Sequence, residues 1–268
     1  MIRLAAFDLD GTLMGADQSI RPQVRRAIAL AQERGVIVTL ATGRMFSAAL
    51  PFARYLNITA PLICCQGGWV QAPAGERLYH IPLPASVAQA ALALSTARGW
   101  HAILYADGCL FLEELRRPLA FYEGLMGADF TVGLSWDEAL AAHTPDKVLF
   151  VAEPEDIPEM AAVLKAHFDG SAAVIQSHAM LIEVVPTGVD KGTALAWLAR
   201  YLGIAREEAL AAGDQENDLT MVRWAGVGVA MGDAPAAVRQ AADWVAPPVT
   251  EDGAAVILER FVLAEDLA

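Results

Sequence analysis

The chain has 268 residues, of which 55% are hydrophobic and 19% charged, and this composition excludes a disordered protein. The mean hydropathy is +0.37, but no window supplies the roughly 18 consecutive apolar residues that a membrane-spanning helix needs, because polar residues such as Gln89 and Arg98 interrupt the alanine-rich runs. The formal net charge of −13 disfavours nucleic acid and anionic lipid as partners.

We expect a cytoplasmic protein that is a monomer or a homodimer. An acidic residue stands at position 8, which leaves no room for the apolar segment of a signal peptide. The three cysteines, Cys64, Cys65 and Cys109, include no CxxC pair, and we interpret them as buried strand residues in a reducing compartment. The five histidines are scattered and show no metal-ligand spacing.

The first third of the chain alternates short apolar runs with helical periodicity. Pro22 suits the first turn of a helix, and Gly35 suits a helix C-cap. The pattern predicts buried strands at 3–7, 36–41 and 61–65, with helices at 22–34 and 46–56. This β-α-β-α-β order is typical of a doubly wound parallel sheet.

A different pattern begins near residue 82. The segment 81–84 carries two prolines and is interpreted as a linker, and Asp107-Gly108 is a strong hairpin signal between the two apolar runs of 101–113. Helices are predicted at 85–98 and 155–168, and further strands at 147–152 and within 172–186. Hairpins mixed with helices predict an α+β module with an antiparallel sheet.

The parallel pattern returns after Pro186. The remaining predicted elements are a helix at 190–203, strands at 208–213, 226–231 and 243–246, and an alanine-rich helix between the last two strands. We therefore predict an α/β fold with a discontinuous larger domain, 1–82 plus 187–268, into which a smaller α+β domain of residues 83–186 is inserted.

Polar clusters follow three of the predicted parallel strands, and a fourth polar position begins a helix. These are Asp8-Leu9-Asp10-Gly11-Thr12, Thr42-Gly43-Arg44, Gly213-Asp214-Gln215-Glu216-Asn217-Asp218 and Lys191. Because ligands of open α/β sheets bind at the carboxyl ends of the strands, we expect the four clusters to converge on one edge of a single sheet.

The residue types in these clusters are chemically complementary. Crowded carboxylates stay ionised beside a cation, and oxygen ligands with few histidines or thiols nearby favour Mg²⁺. The hydroxyl and backbone N–H of Thr42 and the ammonium group of Lys191 are groups that hold a phosphoryl group. An aspartate beside such a site can attack phosphorus and form an aspartyl-phosphate.

The order of the motifs resembles that of a known family. DLDGT, a strand ending in ATGR, then DKG and GDQEND are similar to the motifs of the haloacid dehalogenase superfamily. The large insert between the second and third motifs resembles that of the Cof-type phosphatases. The resemblance covers nearly the whole chain and implies a Rossmann-like core with an inserted cap domain that closes over the site. It further implies magnesium-dependent hydrolysis of phosphomonoesters of small metabolites, such as sugar phosphates.

The resemblance also implies catalytic roles. Asp8 matches the nucleophile, and Asp10 matches the general acid/base that protonates the leaving oxygen and then activates water. Related phosphate-transferring ATPases have Thr at the second position and hydrolyse the intermediate slowly, so Asp10 favours full turnover. The implied phosphate contacts are Thr42, Lys191, Asn217 and the backbone amides of Leu9 and Gly43.

The metal site implied by the resemblance is a Mg²⁺ site. Its ligands would be the Asp8 carboxylate, the Asp10 backbone carbonyl and Asp214. Asp218 is counted with the metal site because it would orient either a water on the metal or Lys191.

Other interpretations remain open at this point. Taken alone, Asp8 and Asp10 are compatible with a strand-end turn, Thr42 with the start of a turn, Asp190 with a helix N-cap and GDQEND with a polar loop. A phosphomutase of related fold is one alternative function, although the short GDQEND motif favours hydrolysis over the longer, glycine-rich motif of such mutases. A non-catalytic phosphosugar-binding regulator is another, and the intact Asp8/Asp10 pair disfavours it.

One departure from the family concerns the substrate. QGGWV at 66–70 stands where many relatives have an Asn-Gly pair, so Gln66 and Trp69 leave the identity of the metabolite open. The roles of Arg44 and Glu183 are also left open.

Overall fold

The computed structural model describes residues 1–126 and 130–264 of the chain. Within these ranges the strands, β1 to β14 in chain order, are Leu4–Phe7, Ile37–Leu40, Leu62–Cys64, Trp69–Gln71, Arg77–His80, His101–Ala106, Cys109–Leu112, Phe130–Val132, Pro145–Val151, Ala173–His178, Leu181–Val185, Ala209–Gly213, Val227–Ala230 and Trp244–Val245. The α-helices of the same ranges, α1 to α10, are Pro22–Glu33, Phe46–Tyr55, Ala85–Arg98, Leu119–Met126, Trp136–Ala142, Ile157–His167, Lys191–Tyr201, Leu219–Trp224, Ala236–Ala241 and Gly253–Leu258. None of the helices in these two ranges is both long enough and apolar enough to cross a membrane.

The described residues group into two compact units. The first unit comprises Met1–Gly43, Ala49–Tyr79 and the chain from Asp190 onward, and the second comprises Arg44–Ala48 and His80–Val189. The boundaries drawn from the sequence, at 82 and 187, lie close to these divisions. The grouping of Arg44–Ala48 with the second unit is not expected from the sequence.

The first unit is built on a sheet with the strand order β14-β13-β12-β1-β2. Every neighbouring pair of these strands is parallel, which confirms the predicted doubly wound sheet. β1 lies inside the sheet between β12 and β2, and all four of its residues are buried. This is what its uninterrupted apolar sequence, LAAF, predicts for a strand that is covered on both faces.

β3 belongs to a separate sheet that the sequence does not predict. A bridge between Ala41 and Ile63 links it to the end of β2. From there β3, β4 and β5 form a three-stranded sheet, in which β3 and β4 are antiparallel. β4 escapes prediction because it has only three residues and follows Gly67 and Gly68, which are typical of a loop.

The second unit contains a six-stranded sheet in the order β10-β11-β9-β6-β7-β8. Leu92 of α3, Ala139 of α5 and Leu164 of α6 are buried in one apolar cluster with residues of this sheet. The predicted hairpin is confirmed, because Asp107 and Gly108 both have positive φ and join antiparallel β6 and β7. The predicted antiparallel pairing holds for β10 with β11, β11 with β9, β9 with β6 and β6 with β7, whereas β8 pairs with β7 in parallel because the chain crosses over through α4.

The segment between β7 and β9 holds elements that the sequence analysis does not identify. β8 has three residues, of which two are exposed, and therefore lacks a strand pattern. α5 does carry a recognisable signal, because Ser135 and Glu138 form a reciprocal capping box at its start.

The burial of the cysteines differs from the prediction at one position. Cys64 and Cys65 are buried as expected, whereas Cys109 is exposed at the start of β7.

A buried tyrosine fastens α4 to the sheet of the second unit. The Tyr122 hydroxyl oxygen accepts the backbone N–H groups of Arg116 and Arg117 at 2.7 and 2.9 Å, and it lies 3.1 Å from Nε2 of His101 in β6. Since the oxygen already accepts two hydrogen bonds, the hydroxyl donates its proton to His101, which requires a neutral imidazole. Burial, together with the charges of Arg116 and Arg117, lowers the pKa of His101 to about 4.

We expect His101 to make the stability of the protein depend on pH between about pH 7.5 and about pH 5.5. The folded-state pKa lies below the unfolded value of about 6.5, so the unfolded chain binds more protons in this window. The contribution is therefore fully present above the unfolded pKa and is lost as the pH falls toward about 4. His101→Gln keeps an acceptor for Tyr122 without titrating, so it should lose less stability on acidification than the wild type.

Urea unfolding at the two pH values measures this difference in the free energy of unfolding. His167→Gln, at an exposed histidine of α6, is the matched control and should follow the wild type. An identical pH dependence in His101→Gln and the wild type would show that His101 does not carry the effect.

Candidate active site

Asp8 stands at the carboxyl end of β1. Its backbone N–H donates to the carbonyl of Ala212 in β12 at 2.9 Å, and its side chain is only 7% exposed. The chain turns immediately afterwards, since the Leu9 carbonyl accepts the N–H of Leu13 at 3.1 Å. Asp10 lies in this turn and is exposed. The two aspartates of the DLDGT motif are therefore neighbours in different environments.

Gly11 and Thr12 bring this turn against the end of β12. Gly11 has a φ of +90°, and a Cβ built on it would lie 2.3 Å from Oδ2 of Asp214. Thr12 is fully buried and donates its hydroxyl to Oδ1 of Asp214 at 2.8 Å. The position of the Asp214 carboxylate is therefore set by the turn that follows β1.

The buried ammonium group of Lys191 joins the ends of two strands. Nζ donates to Oδ1 of Asp8 and to Oδ1 of Asp218, each at 2.6 Å. Burial alone would lower the pKa of Lys191, but the carboxylates of Asp218 and Asp8 raise it above its ordinary value, so the amine is protonated. Asp190 caps α7 by accepting the N–H of Thr193 at 2.7 Å, so its interpretation as an N-cap is correct.

Asp218 is fully buried and organises the loop after β12. Its Oδ2 accepts the backbone N–H groups of Asp214 and Gln215, each at 2.9 Å, while Oδ1 accepts from Lys191. The side-chain amide of Gln215 donates to Oδ2 of Asp214 at 2.9 Å. Gly213 leaves room for this arrangement, because a Cβ on it would lie 2.3 Å from the Cβ of Asp218.

Three buried carboxylates meet at this edge of the sheet. One oxygen from each of Asp8, Asp214 and Asp218 lies within 4.8 Å of the others. Burial and the charge of Asp218 raise the pKa of Asp214 to about 6, and burial raises the pKa of Asp8 well above its ordinary value although Lys191 opposes this. A divalent cation would favour the ionised carboxylates, and a set of carboxylate oxygens suits Mg²⁺. The residues present therefore fit a magnesium ion.

Thr42 offers fewer groups to a ligand than the sequence predicts. Its backbone N–H donates to the carbonyl of Ile63 at 2.9 Å, because the bridge between β2 and β3 uses the amide at the strand end. This N–H is therefore already used within the protein. The Thr42 hydroxyl remains a candidate contact.

Gln66 connects the loop after β2 with the loop after β12. Its backbone N–H donates to the carbonyl of Thr42 at 3.2 Å, and its Oε1 accepts from Nδ2 of Asn217 at 3.0 Å. Its Nε2 lies against Gly43, where a Cβ would be only 2.5 Å away. Three of the residues that were predicted to hold phosphate therefore lie against Gln66: Thr42 at its backbone, and Gly43 and Asn217 at its carboxamide.

The structure thus brings most of the predicted site residues together. Asp8, Lys191, Asp214 and Asp218 lie in one cluster, and Asp10 is close enough to raise the pKa of Asp8 slightly further. The sequence pattern alone does not indicate that Thr12 and Gln215 are partners of Asp214. Both lie inside the motifs DLDGT and GDQEND, so their hydrogen-bonding side chains were the available signal.

The structure gives structural partners to two of the residues whose roles were left open. Glu183 forms a buried ion pair with Lys147 at 2.5 Å within the second unit. The indole N–H of Trp69 donates to Oε1 of Gln71 at 2.7 Å. Arg44 belongs to the second unit.

The chain is similar in sequence and in structure to known proteins. A family model described as haloacid dehalogenase-like hydrolase matches residues 5–258. The chain is 33% identical over 241 residues to an HMP-PP phosphatase of Serratia proteamaculans, covering 87% of this chain and 85% of that protein. It is 30% identical over 267 residues to a 5-amino-6-(5-phospho-D-ribitylamino)uracil phosphatase of Bacillus subtilis, covering 96% and 97%. A crystal structure of a haloacid dehalogenase-like hydrolase from Bacteroides thetaiotaomicron superimposes with a TM-score of 0.84 at 29% identity, covering 97% of this chain and 99% of the other.

We expect Gly11→Ala to weaken binding of Mg²⁺ by about tenfold or more, because the added methyl group collides with the Asp214 carboxylate. Gly35→Ala is the matched control, since Gly35 has a similar φ of +79° but nothing within 4 Å of its added Cβ. Both variants carry the backbone strain of alanine in a left-handed conformation, about 1–2 kcal/mol. Calorimetric titration with MgCl₂ measures the affinity, and equal affinities in the two variants would mean that Gly11 does not position Asp214 for a metal.

Proposed function

We propose that this chain, which belongs to the haloacid dehalogenase-like hydrolases, is a magnesium-dependent phosphatase that acts on a small phosphorylated metabolite through an aspartyl-phosphate on Asp8. The observation that carries the proposal is the position of Asp8. Its carboxylate lies at the carboxyl edge of the parallel sheet, 2.6 Å from the Lys191 ammonium group and within 4.8 Å of Asp214. The curated relatives named above are phosphatases, which supports the same reaction class.

Asp8 is the nucleophile in this mechanism, and Asp10 is the general acid and base. A carboxylate oxygen of Asp8 attacks phosphorus, the bond from phosphorus to the leaving oxygen breaks, and Asp10 gives its proton to that oxygen. Asp10, now ionised, then takes a proton from the water that attacks the phosphorus of the aspartyl-phosphate. This second step releases inorganic phosphate and restores the Asp8 carboxylate and the proton on Asp10.

Lys191 fixes the reacting carboxylate and compensates negative charge. Its two hydrogen bonds hold Asp8 and Asp218 in place, and its positive charge favours the ionised form of Asp8 that the attack needs. The remaining phosphate contacts are proposed to be the Thr42 hydroxyl, the Asn217 side chain and the backbone amides of Leu9 and Gly43. These groups supply hydrogen bonds to a phosphoryl group whose charge grows on the oxygens.

The proposed magnesium ligands are the carboxylates of Asp8 and Asp214 and the backbone carbonyl of Asp10. When bound, Mg²⁺ supplies positive charge that keeps these carboxylates ionised and offsets the charge of the phosphoryl group. Asp218, whose two oxygens accept hydrogen bonds from Lys191 and from the backbone of the GDQEND loop, adds its charge to the cluster and holds the loop in place.

Purified protein with MgCl₂ should release inorganic phosphate from p-nitrophenyl phosphate. Asp8→Asn should abolish this release because an amide cannot form the aspartyl-phosphate. Asp10→Asn should slow it by a factor on the order of 10² to 10⁴, since the leaving oxygen loses its acid. Asp169→Asn, at an exposed aspartate of the second unit, is the matched control and should keep the wild-type rate.

The same assay separates the parts of the proposal. Undiminished activity in EDTA would contradict the role of the metal, and wild-type turnover of Asp8→Asn would contradict its role as nucleophile. With a sugar phosphate as the substrate, a phosphomutase would yield an isomeric phosphate ester and no free phosphate. Tight binding of that sugar phosphate without turnover would indicate a regulator.

A further inference from the structure

We infer that the Gln66 carboxamide is a positioning residue that holds the Asn217 side chain and the Gly43 backbone in place for binding of the phosphoryl group. The inference rests on the function proposed above and assigns a task to a residue whose role the sequence leaves open. It is carried by the backbone conformation of Gln66, by the burial of its side chain and by the partners of its amide group.

The backbone at Gln66 adopts a conformation that L-residues rarely take. Cys65 and Gln66 have φ values of +50° and +59°, and Gly67 follows with +101°. Gly67 is confined as well, because a Cβ on it would lie 2.3 Å from the carbonyl oxygen of Asp190 at the start of α7. Such conformations persist when the surrounding structure holds them, and they cluster at functional sites. This loop is held from the other side by the hydrogen bond from Gln66 N–H to the Thr42 carbonyl.

The side chain of Gln66 joins two motifs that are far apart in the sequence. The residue is 1% exposed. Its Oε1 accepts from Nδ2 of Asn217 at 3.0 Å, and its Nε2 lies against Gly43, which has no room for a Cβ. A buried carboxamide with these neighbours fixes the distance between the loop after β2 and the loop after β12. Those two loops carry the groups that we propose to contact phosphate.

The orientation of the Asn217 amide depends on this contact. Within residues 1–126 and 130–264, Asn217 Oδ1 is buried and has no hydrogen-bond partner, so the bond from Nδ2 to Gln66 is the one that orients the side chain. Removing the acceptor on Gln66 would leave the half-buried Asn217 amide without its hydrogen bond to Gln66, while its buried Oδ1 still has no partner, and this is unfavourable. The amide would then rotate or move away from the phosphate position.

A double-mutant cycle tests the inference. Gln66→Met keeps the length and volume of the side chain but removes its hydrogen-bonding groups, and Asn217→Ala removes the partner. Gln71→Met is the matched control, because it also removes a glutamine that accepts a hydrogen bond, here from Trp69, but outside the proposed phosphate contacts. The measurements are kcat and KM for p-nitrophenyl phosphate with MgCl₂, and the calorimetric affinity for inorganic phosphate.

Gln66→Met should weaken the affinity for inorganic phosphate and raise KM by about tenfold, while Gln71→Met leaves both unchanged. In the Asn217→Ala background the same substitution should have a clearly smaller effect than in the wild type, because Gln66 acts in part through Asn217. If Gln66→Met binds inorganic phosphate as tightly as the wild type, the inference is overturned. It is also overturned if the separate effects of Gln66→Met and Asn217→Ala on this affinity multiply in the double variant, as they would for independent residues.

A second variant covers the case in which Gln66→Met does not fold. Asn is better tolerated than Met at positive φ, so Gln66→Asn should fold, but its amide is one methylene shorter and should still weaken phosphate binding. Wild-type phosphate affinity in Gln66→Asn would contradict the inference. A wild-type protein that neither hydrolyses the ester nor binds phosphate would instead contradict the proposed function itself, so the two failures are distinguishable.

Discussion

The charge balance at the carboxyl edge of the parallel sheet is the constraint on which the site depends. The buried carboxylates of Asp8, Asp214 and Asp218 lie close together, and the buried ammonium group of Lys191 contacts those of Asp8 and Asp218. When all three carboxylates are ionised, they outnumber the single positive charge of Lys191 by two, and burying such uncompensated charges is unfavourable. The excess corresponds to the charge of one divalent cation. The feature that would destabilise the isolated chain is therefore the same feature that favours binding of a metal.

The close approach of these groups depends on positions where no side chain fits. A Cβ at Gly11 would collide with the Asp214 carboxylate, and one at Gly213 would collide with Asp218. Gly192, next to Lys191, packs so tightly against the backbone of Thr220 that a Cβ would lie 2.5 Å from it. Glycine at these positions lets strand ends and helix starts come within hydrogen-bond distance of one another, which larger residues would prevent.

The sequence is most informative where an apolar run ends in a polar motif. β1 and β12 are short, uninterrupted apolar runs, and the acidic residues that follow them can be recognised as a site before the sheet is known. Partners that are distant in the sequence leave no such local pattern. The Thr42 N–H donates to the Ile63 carbonyl, and Gln66 bonds to Asn217, 151 residues away. Both contacts follow from how the strands are arranged. The three-residue strands β4 and β8 escape prediction because β4 follows two glycines and β8 is mostly exposed, so neither shows an apolar strand pattern.

The discontinuous first unit has a consequence for the order in which the chain can fold. β1 pairs with β12, and Asp8 bonds to Lys191, 183 residues further along, so the cluster cannot form until most of the chain is available. The second unit is complete at Val189, and its contacts can form during synthesis before β12 emerges. Until then the apolar strand LAAF has one unpaired edge, which is a template for association with other chains. Distant pairings of this kind close late and slowly. The nascent chain is therefore most vulnerable to aggregation while it still lacks the residues that would complete the central sheet.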